Sequence, residues 1–465
     1  MNVYCAIVLA AGKGTRMKSN LCKVLHPLAG RPMISYVTDT VESSGIGKTV
    51  VIVGHQADEV KRSIPGGGIE FVLQEPQLGT GHAVMAARKV LDSFEGDVLI
   101  LCGDVPLIRP ATIQGFMEYH REKDSRLTVV TTFVENPMGY GRIIRNESGE
   151  VARIVEEKDC DPDEATVKEI NTGIFLGSAQ LVFSLLERIQ PDNAQGEYYL
   201  TDIVAQAARE SVPVHGLILE DSQEVIGINT RSDLAKVSRI IRGRIRERLM
   251  SEGVTLIDPE SAYIDEAVRI GPDTVIHPSV TLLGQTVIGR DCVIEPGVLM
   301  SDCVVGDGVT IMLGSRLDSA VIDDGTSIGP MAHLRPGANI GKNARIGNFV
   351  EVKKTVVGDG SKAAHLTYLG DSTIGKDVNI GCGTITCNYD GRHKHPTVIH
   401  DRCFVGSDVQ FIAPVEIGEG SLIGAGSTIT RDVPPGTLAV SRAKQKNYPL
   451  RKSQRGGSSD ENQGS

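Results

Sequence analysis

The feature that most constrains this chain is a six-residue period in its second half. Ile264, Ile270, Ile276, Leu282, Ile288 and Ile294 share one phase; Ile322, Ile328, Leu334, Ile340, Ile346 and Val352 share a second; Val405, Phe411, Ile417, Ile423 and Ile429 share a third. Half-buried strands alternate with a period of two and helices repeat every ~3.6 residues, so neither produces this pattern. A hexapeptide repeat does. Each hexad forms one flat side of a triangular coil, and its aliphatic residue points inward to stack on its counterparts in adjacent coils. The glycine that often follows, as at Gly271, Gly289, Gly347 and Gly418, suits a tight corner. A left-handed parallel β-helix is therefore expected over residues 253–450. The segment Lys353 to Thr373 breaks the phase and is rich in Gly, Lys and His. It reads as a loop thrown out of a coil, and loops on rigid scaffolds often carry function. The polar, Gly/Ser-rich stretch 451–465 is expected to be a disordered tail.

The first half has a different grammar. Short apolar runs, among them Ala6 to Ala10, Thr49 to Val53, Val98 to Leu101 and Leu127 to Thr131, alternate with helix-like segments. This pattern predicts an α/β domain over 1–230, Rossmann-like with a mostly parallel sheet. Leu234, Val237, Ile241, Ile245 and Leu249 then recur at spacings of three and four, which predicts an amphipathic helical arm over 231–252. A net charge of −10 gives no global attraction to nucleic acid or to an anionic membrane, and points to small anionic ligands. No apolar run of about 18 residues and no signal-peptide pattern occur, so a soluble cytoplasmic protein without membrane insertion is expected. The nine cysteines are scattered without a CxxC pair, as reduced thiols would be.

Directly after the first apolar run, Ala11-Gly12-Lys13-Gly14-Thr15-Arg16-Met17 makes a turn of small residues. Backbone N–H groups in such a turn can approach phosphate oxygens unobstructed. No GKS or GKT closes it as in a Walker loop, and Met17 stands where a dinucleotide fingerprint wants a third glycine. The turn alone also serves as a plain structural corner. Arg16 and Lys23, two cations able to neutralise a triphosphate, favour the phosphate reading. Asp104, in Cys102-Gly103-Asp104, ends another strand, where open α/β sheets bind ligands. Such an aspartate either caps a turn or holds Mg²⁺ between phosphates, since that ion takes hard oxygen ligands.

Together these segments closely resemble the nucleotide-sugar pyrophosphorylase family, whose signature L-A-A-G-x-G-T-R-M runs here from Leu9 to Met17. The resemblance continues through Gln74, Gly79-Thr80-Gly81-His82, Gly139-Tyr140-Gly141-Arg142, Ile154-Val155-Glu156, Glu169-Ile170-Asn171-Thr172-Gly173 and Asn229. That set is similar to the branch using UTP and N-acetylglucosamine 1-phosphate. It implies that Leu9, Ala10, Ala11, Gly12, Gln74, Gly79 and Thr80 hold the uracil nucleotide, with Arg16, Lys23, Cys102 and Gly103 beside it. Gly141, Glu156, Asn171, Tyr199 and Thr201 would hold the sugar phosphate, and Asp104 with Asn229 the Mg²⁺. Such a transfer starts from an anionic nucleophile, so the site needs alignment and charge neutralisation and no general base. Cys22 stands where the family usually has proline, and Cys102 where it often has tyrosine.

In the second half a lone histidine is more often structural than catalytic, yet His365 falls in the phase-breaking segment. Imidazole titrates near neutral pH and could take a proton from a sugar amine attacking a thioester. Arg335, Lys353 and Lys394 could fix a sugar phosphate. The stretches Leu334-Arg335-Pro336-Gly337, Gly347-Asn348-Phe349-Val350-Glu351, His365-Leu366-Thr367-Tyr368-Leu369-Gly370-Asp371 and Cys387-Asn388-Tyr389-Asp390-Gly391 closely resemble the acetyltransferase half of a bifunctional family. That family joins N-acetylglucosamine-1-phosphate uridyltransferase to glucosamine-1-phosphate N-acetyltransferase, and the resemblance runs from Val3 to about Arg451. It implies His365 as general base and Arg335, Lys353, Tyr368, Asn379 and Lys394 around glucosamine 1-phosphate. It implies Cys382, Asn388, Tyr389, Ser407, Ala425 and Arg442 near acetyl-CoA, with Cys382 in place of the usual alanine. It further implies a homotrimer through the β-helix and synthesis of UDP-N-acetylglucosamine for peptidoglycan and lipopolysaccharide precursors. The rival is a sugar-1-phosphate nucleotidyltransferase whose β-helix only trimerises.

Overall fold

A computed structural model describes residues 3–64 and 66–449. The tail expected over 451–465 lies outside the described residues. The described residues form two compact units that divide between Ile245 and Arg246. Their boundary falls inside the helix Arg231–Ser251, in which Val237, Ile241, Ile245 and Leu249 are buried at a four-residue spacing. Among the described residues no helix is long and apolar enough to cross a membrane.

In the first unit β1 (Tyr4–Ala10), β2 (Lys48–Val53), β3 (Ile69–Leu73), β4 (Asp97–Cys102), β5 (Leu127–Phe133), β6 (Arg142–Arg145), β7 (Val151–Val155), β8 (Glu169–Ser178) and β9 (Val214–Leu219) share one sheet. Its path is β9-β5-β8-β4-β1-β2-β3, with β6 joined to β8 and β7. β1 runs parallel to both β2 and β4, while β8 is antiparallel to its neighbours β4 and β5. β1, β2 and β4 are nearly continuous buried apolar runs, as strands covered on both faces must be. From β1 the path goes one way to β2 and the other way to β4. This reversal leaves a crevice beyond the carboxyl ends of β1 and β4, where Leu9 lies in register with Cys102.

In the second unit three parallel sheets of 11, 10 and 9 strands form the sides of the left-handed β-helix that the six-residue period predicts. Every in-phase aliphatic or aromatic position named above is buried, none more than 7% exposed. Ile276 pairs with Ile294, a coil of three full hexads, whereas Ile288 pairs with Val305, a coil one residue short. The phase slips because one side of such a coil is shortened.

This corrects the expectation of an extruded loop at Lys353 to Thr373. The strands Glu351–Lys353, Val356–Val357, Lys362–His365, Tyr368–Gly370 and Ser372–Ile374 all pair in parallel with adjacent coils. His365 therefore stands on the coil itself. The stretch that leaves the coil is 388–396, between Ile385–Cys387 and Thr397–Ile399. One side of the helix carries β10 (Arg345–Asn348), β11 (Lys362–His365), β12 (Asn379–Ile380), β13 (Phe404–Val405) and β14 (Leu422–Ile423), stacked in that order.

Candidate active sites

The crevice of the first unit is a cleft of ≈ 910 Å³ whose walls include Leu9, Ala10, Ala11, Gly12, Lys23, Gln74, Gly79, Thr80, Cys102 and Asp104. The turn after β1 is built by backbone demands. Gly14 has φ 63, and a Cβ there would lie 2.6 Å from Lys23 Cβ, so the small residue lets Lys23 pack directly over the turn. The Lys23 ammonium forms an ion pair with Asp104 and lies 3.2 Å from Asn229 Oδ1, which also accepts from Arg16 Nη2 at 2.8 Å. Two hard oxygens, Asp104 Oδ2 and Asn229 Oδ1, thus converge on one cation. A donor pair of this chemistry fits Mg²⁺, which takes few protein oxygens and completes its shell with phosphate and water.

Gln74 is buried, and its amide donates to the Gly79 carbonyl at 3.0 Å. Gly79 itself has φ 114, and a Cβ there would meet the Tyr198 carbonyl at 2.6 Å. The residues expected for the sugar phosphate form a second group outside the cleft wall. Thr201 Oγ1 donates to Glu156 Oε1 at 3.1 Å, the Asn171 N–H donates to the Gly141 carbonyl at 2.8 Å, and Gln195 Nε2 donates to Tyr199 Oη at 2.7 Å. Burial raises the Glu156 carboxyl above its ordinary range. Gly103 donates its N–H to Leu9 at 2.9 Å, tying the two strand ends together. Cys102 lies between the groups: burial first, then the charges of Asp104 and Glu156, push its thiol up to about 12, and a Cβ on Gly173 would sit 3.3 Å from its sulfur. It is a neutral thiol in the wall. Sequence reasoning missed Gly54, His55 and Gln77, which also line the cleft. Gly54 directly follows a buried strand, and that was the available signal.

On the β-helix, the side carrying β10 to β14 puts one corner position of successive coils in a column. Three residues after Arg345, Lys362, Asn379, Phe404 and Leu422 stand Asn348, His365, Cys382, Ser407 and Ala425. Asn348 and His365 are register partners, and His365 Nδ1 lies 2.6 Å from Asn348 Oδ1. With Oδ1 as acceptor, Nδ1 carries the proton and Nε2 presents its lone pair. Further along the column the Cys382 carbonyl accepts from Asp408 N at 2.7 Å, the Ser407 carbonyl from Gly426 N at 2.8 Å, and the Ala425 carbonyl from Arg442 Nη1 at 2.5 Å.

A cationic cluster gathers around Asp371. Its Oδ2 lies 4.0 Å from Lys353 Nζ and 3.9 Å from Lys394 Nζ, and accepts from Asn388 Nδ2, which is also 3.5 Å from Tyr368 Oη. Arg335 pairs with Glu351 at 2.9 Å. Contact with the Lys394 ammonium pushes the less exposed Lys353 below its ordinary value. Three cations, Arg335, Lys353 and Lys394, against two carboxylates, Glu351 and Asp371, leave one net positive charge, which suits a phosphate. Asn379 sits on the strand next to β11, opposite Lys362. Tyr389 is exposed, and its hydroxyl donates to the Gly391 carbonyl at 2.8 Å. Asp371 and Asn348 were not singled out from sequence, although both fall in stretches that carried the resemblance.

A family model described as a MobA-like NTP transferase domain matches residues 6–158, and one described as bacterial transferase hexapeptide (six repeats) matches 267–301, 319–354 and 396–431. A protein named Bifunctional protein GlmU from Pelobacter propionicus is 54% identical over 448 residues, 96% of this chain and 97% of its own length. Proteins of the same name from Geotalea uraniireducens and Geobacter metallireducens are 53% and 52% identical, each matched over 96% of this chain and 98% of their own length.

Proposed function

The chain belongs to the GlmU family of bifunctional proteins, and on that premise we propose that each unit carries one transferase activity of UDP-N-acetylglucosamine synthesis. The second unit acetylates glucosamine 1-phosphate with acetyl-CoA. The first joins the resulting N-acetylglucosamine 1-phosphate to UTP, releasing pyrophosphate.

In the uridylyl transfer, a phosphate oxygen of the sugar attacks the α-phosphorus of UTP and pyrophosphate leaves. The nucleophile is already an anion, so the residues of the cleft act by alignment and charge. The turn at Gly12 and Gly14 offers backbone N–H groups to the phosphates, with Lys23 and Arg16 supplying positive charge. Gln74, Gly79 and Thr80 shape the base and ribose end. Asn171, Glu156, Tyr199 and Thr201 orient the sugar. Asp104 and Asn229 would hold Mg²⁺, which supplies further neutralisation of phosphate charge when bound.

In the acetyl transfer, His365 Nε2 takes a proton from the sugar amine as its nitrogen bonds to the thioester carbonyl carbon. Collapse of that adduct breaks the C–S bond, and the proton now on Nε2 passes to the leaving sulfur, releasing coenzyme A as the thiol and restoring the neutral imidazole. Asn348 keeps the proton on Nδ1. Arg335, Lys353 and Lys394, with Tyr368 and Asn379, receive the sugar phosphate, while the column through Cys382, Ser407 and Ala425, with Asn388, Tyr389 and Arg442, lies along acetyl-CoA. That column, led by the His365 and Asn348 pair, is the single observation that best supports an active β-helix over one that only assembles subunits. A cytoplasmic homotrimer is the assembly we assign, in keeping with the hexapeptide repeats.

The test is a paired assay. His365→Ala should abolish acetyl transfer and keep uridylyl transfer, and Asp104→Ala should do the reverse. Full acetylation by the His365 variant would sink the mechanism of the second unit, and full uridylyl transfer by the Asp104 variant that of the first.

A further inference from the structure

Cys22 sits immediately before Lys23 and begins the single 3₁₀ turn Lys23–Leu25. Its side chain is fully buried and burial raises its thiol, so it fills space. Its backbone N–H does more. It donates to Gln56 Oε1 at 2.5 Å, across 34 residues of sequence. Gln56 lies two residues after Gly54 in the cleft wall and precedes the helix Ala57–Ser63 with a left-handed backbone, φ 54. That conformation is unfavourable for a residue with a side chain and persists only where surrounding contacts hold it.

Two successive residues thus connect three loops of the site. The Cys22 N–H is tied to the loop after β2, and the Lys23 ammonium reaches Asp104 after β4 and Asn229. We propose that Gln56 is a positioning residue for uridylyl transfer: by holding the Cys22 N–H it sets the corner from which Lys23 is aimed at the triphosphate. The inference rests on the uridyltransferase reading above.

The backbone of Cys22 makes this testable. Its φ of −53 and ψ of 138 lie where proline is at ease. A proline at this position would hold the same corner through its ring and would have no N–H to satisfy. Gln56 is therefore needed only while residue 22 carries a free N–H.

The experiment is steady-state uridylyl transfer by full-length wild type, Gln56→Ala, Gln56→Met and the double variant Cys22→Pro/Gln56→Ala, with acetyl transfer by the same preparations reporting intact folding. Both single variants should raise KM for UTP about 10-fold with kcat little changed, the size of one lost hydrogen bond. The double variant should return KM to within about 2-fold of wild type. A wild-type KM in Gln56→Met overturns the proposal, because that side chain keeps the stem and lacks the acceptor. An undiminished loss in the double variant overturns it too, since the defect would then lie outside the N–H contact. Wild-type protein without uridylyl transfer would instead remove the reading on which the proposal rests, so the two failures are distinguishable.

Discussion

His365 Nδ1 and Asn348 Oδ1 are 2.6 Å apart because the two residues are register partners on adjacent coils of the β-helix. The ladder that builds the scaffold also selects the tautomer of the proposed base. Removing the acceptor should leave the imidazole in place and free to exchange tautomers and rotate. Asn348→Ala is expected to lower kcat for acetyl transfer about 10- to 100-fold with a smaller change in KM, by analogy with other residues that orient a histidine. Asn348→Asp keeps an acceptor for the Nδ1 proton and is expected to hold kcat within about 10-fold of wild type. Steady-state acetyl transfer by both variants checks this, and a wild-type kcat in Asn348→Ala would remove Asn348 from the mechanism.

Gly347 shows how tightly that same corner is stacked. A Cβ there would lie 1.9 Å from the Ala364 carbonyl oxygen, a backbone atom of the next coil with no side chain to swing aside. Gly347→Ala should destabilise the second unit by about 3 kcal/mol or more. It should also reduce acetyl transfer, because the coils that part are those carrying Asn348 and His365. Thermal unfolding followed beside both assays tests it. A variant as stable as wild type would show that the coils have slack.

The first unit has a pH dependence of its own. His120 is buried, its Nδ1 2.7 Å from Thr128 Oγ1, and burial together with the nearby His215 pushes it down to about 4. The unfolded chain takes up that proton near pH 6.5, whereas the folded chain refuses it until about 4. Stability from this group is therefore complete above about pH 6.5 and falls by roughly 3 kcal/mol as pH drops to about 4. Asp97, whose carboxyl is raised by burial, works in the opposite sense. Comparing wild type with His120→Gln isolates the histidine. Urea titrations at several pH values should show a flatter profile in the variant, and equal slopes would refute the assignment.

The cleft of the first unit was more legible in the sequence than the column on the β-helix. Its glycine turn and its strand-end aspartate are local signals, since a buried apolar run followed directly by small or acidic residues marks the carboxyl edge of a parallel sheet. Glu156 and Thr201 carried no such mark. They meet through a 3.1 Å hydrogen bond between side chains far apart in the chain, and only the resemblance pointed to them. The loop placed at Lys353 to Thr373 was wrong because a missing residue and an inserted one disturb a period alike. In the structure one side of the coil is short and the true departure, 388–396, comes a coil later.

What the sequence by itself determined is the division into an α/β unit and a hexapeptide β-helix, because periodicity is a property of the one-dimensional chain and needs no partner to be read. Inward-facing positions followed from it, and all of them are buried. The tertiary structure alone decided what faces what. The stacking of coils put His365 against Asn348 and aligned Cys382, Ser407 and Ala425 below them, and the order of strands in the sheet brought Lys23 to Asp104 and Asn229. These contacts depend on coil length and strand order, where a change of one residue re-aims every side chain that follows, and the six-residue rhythm that revealed the helix cannot count that residue.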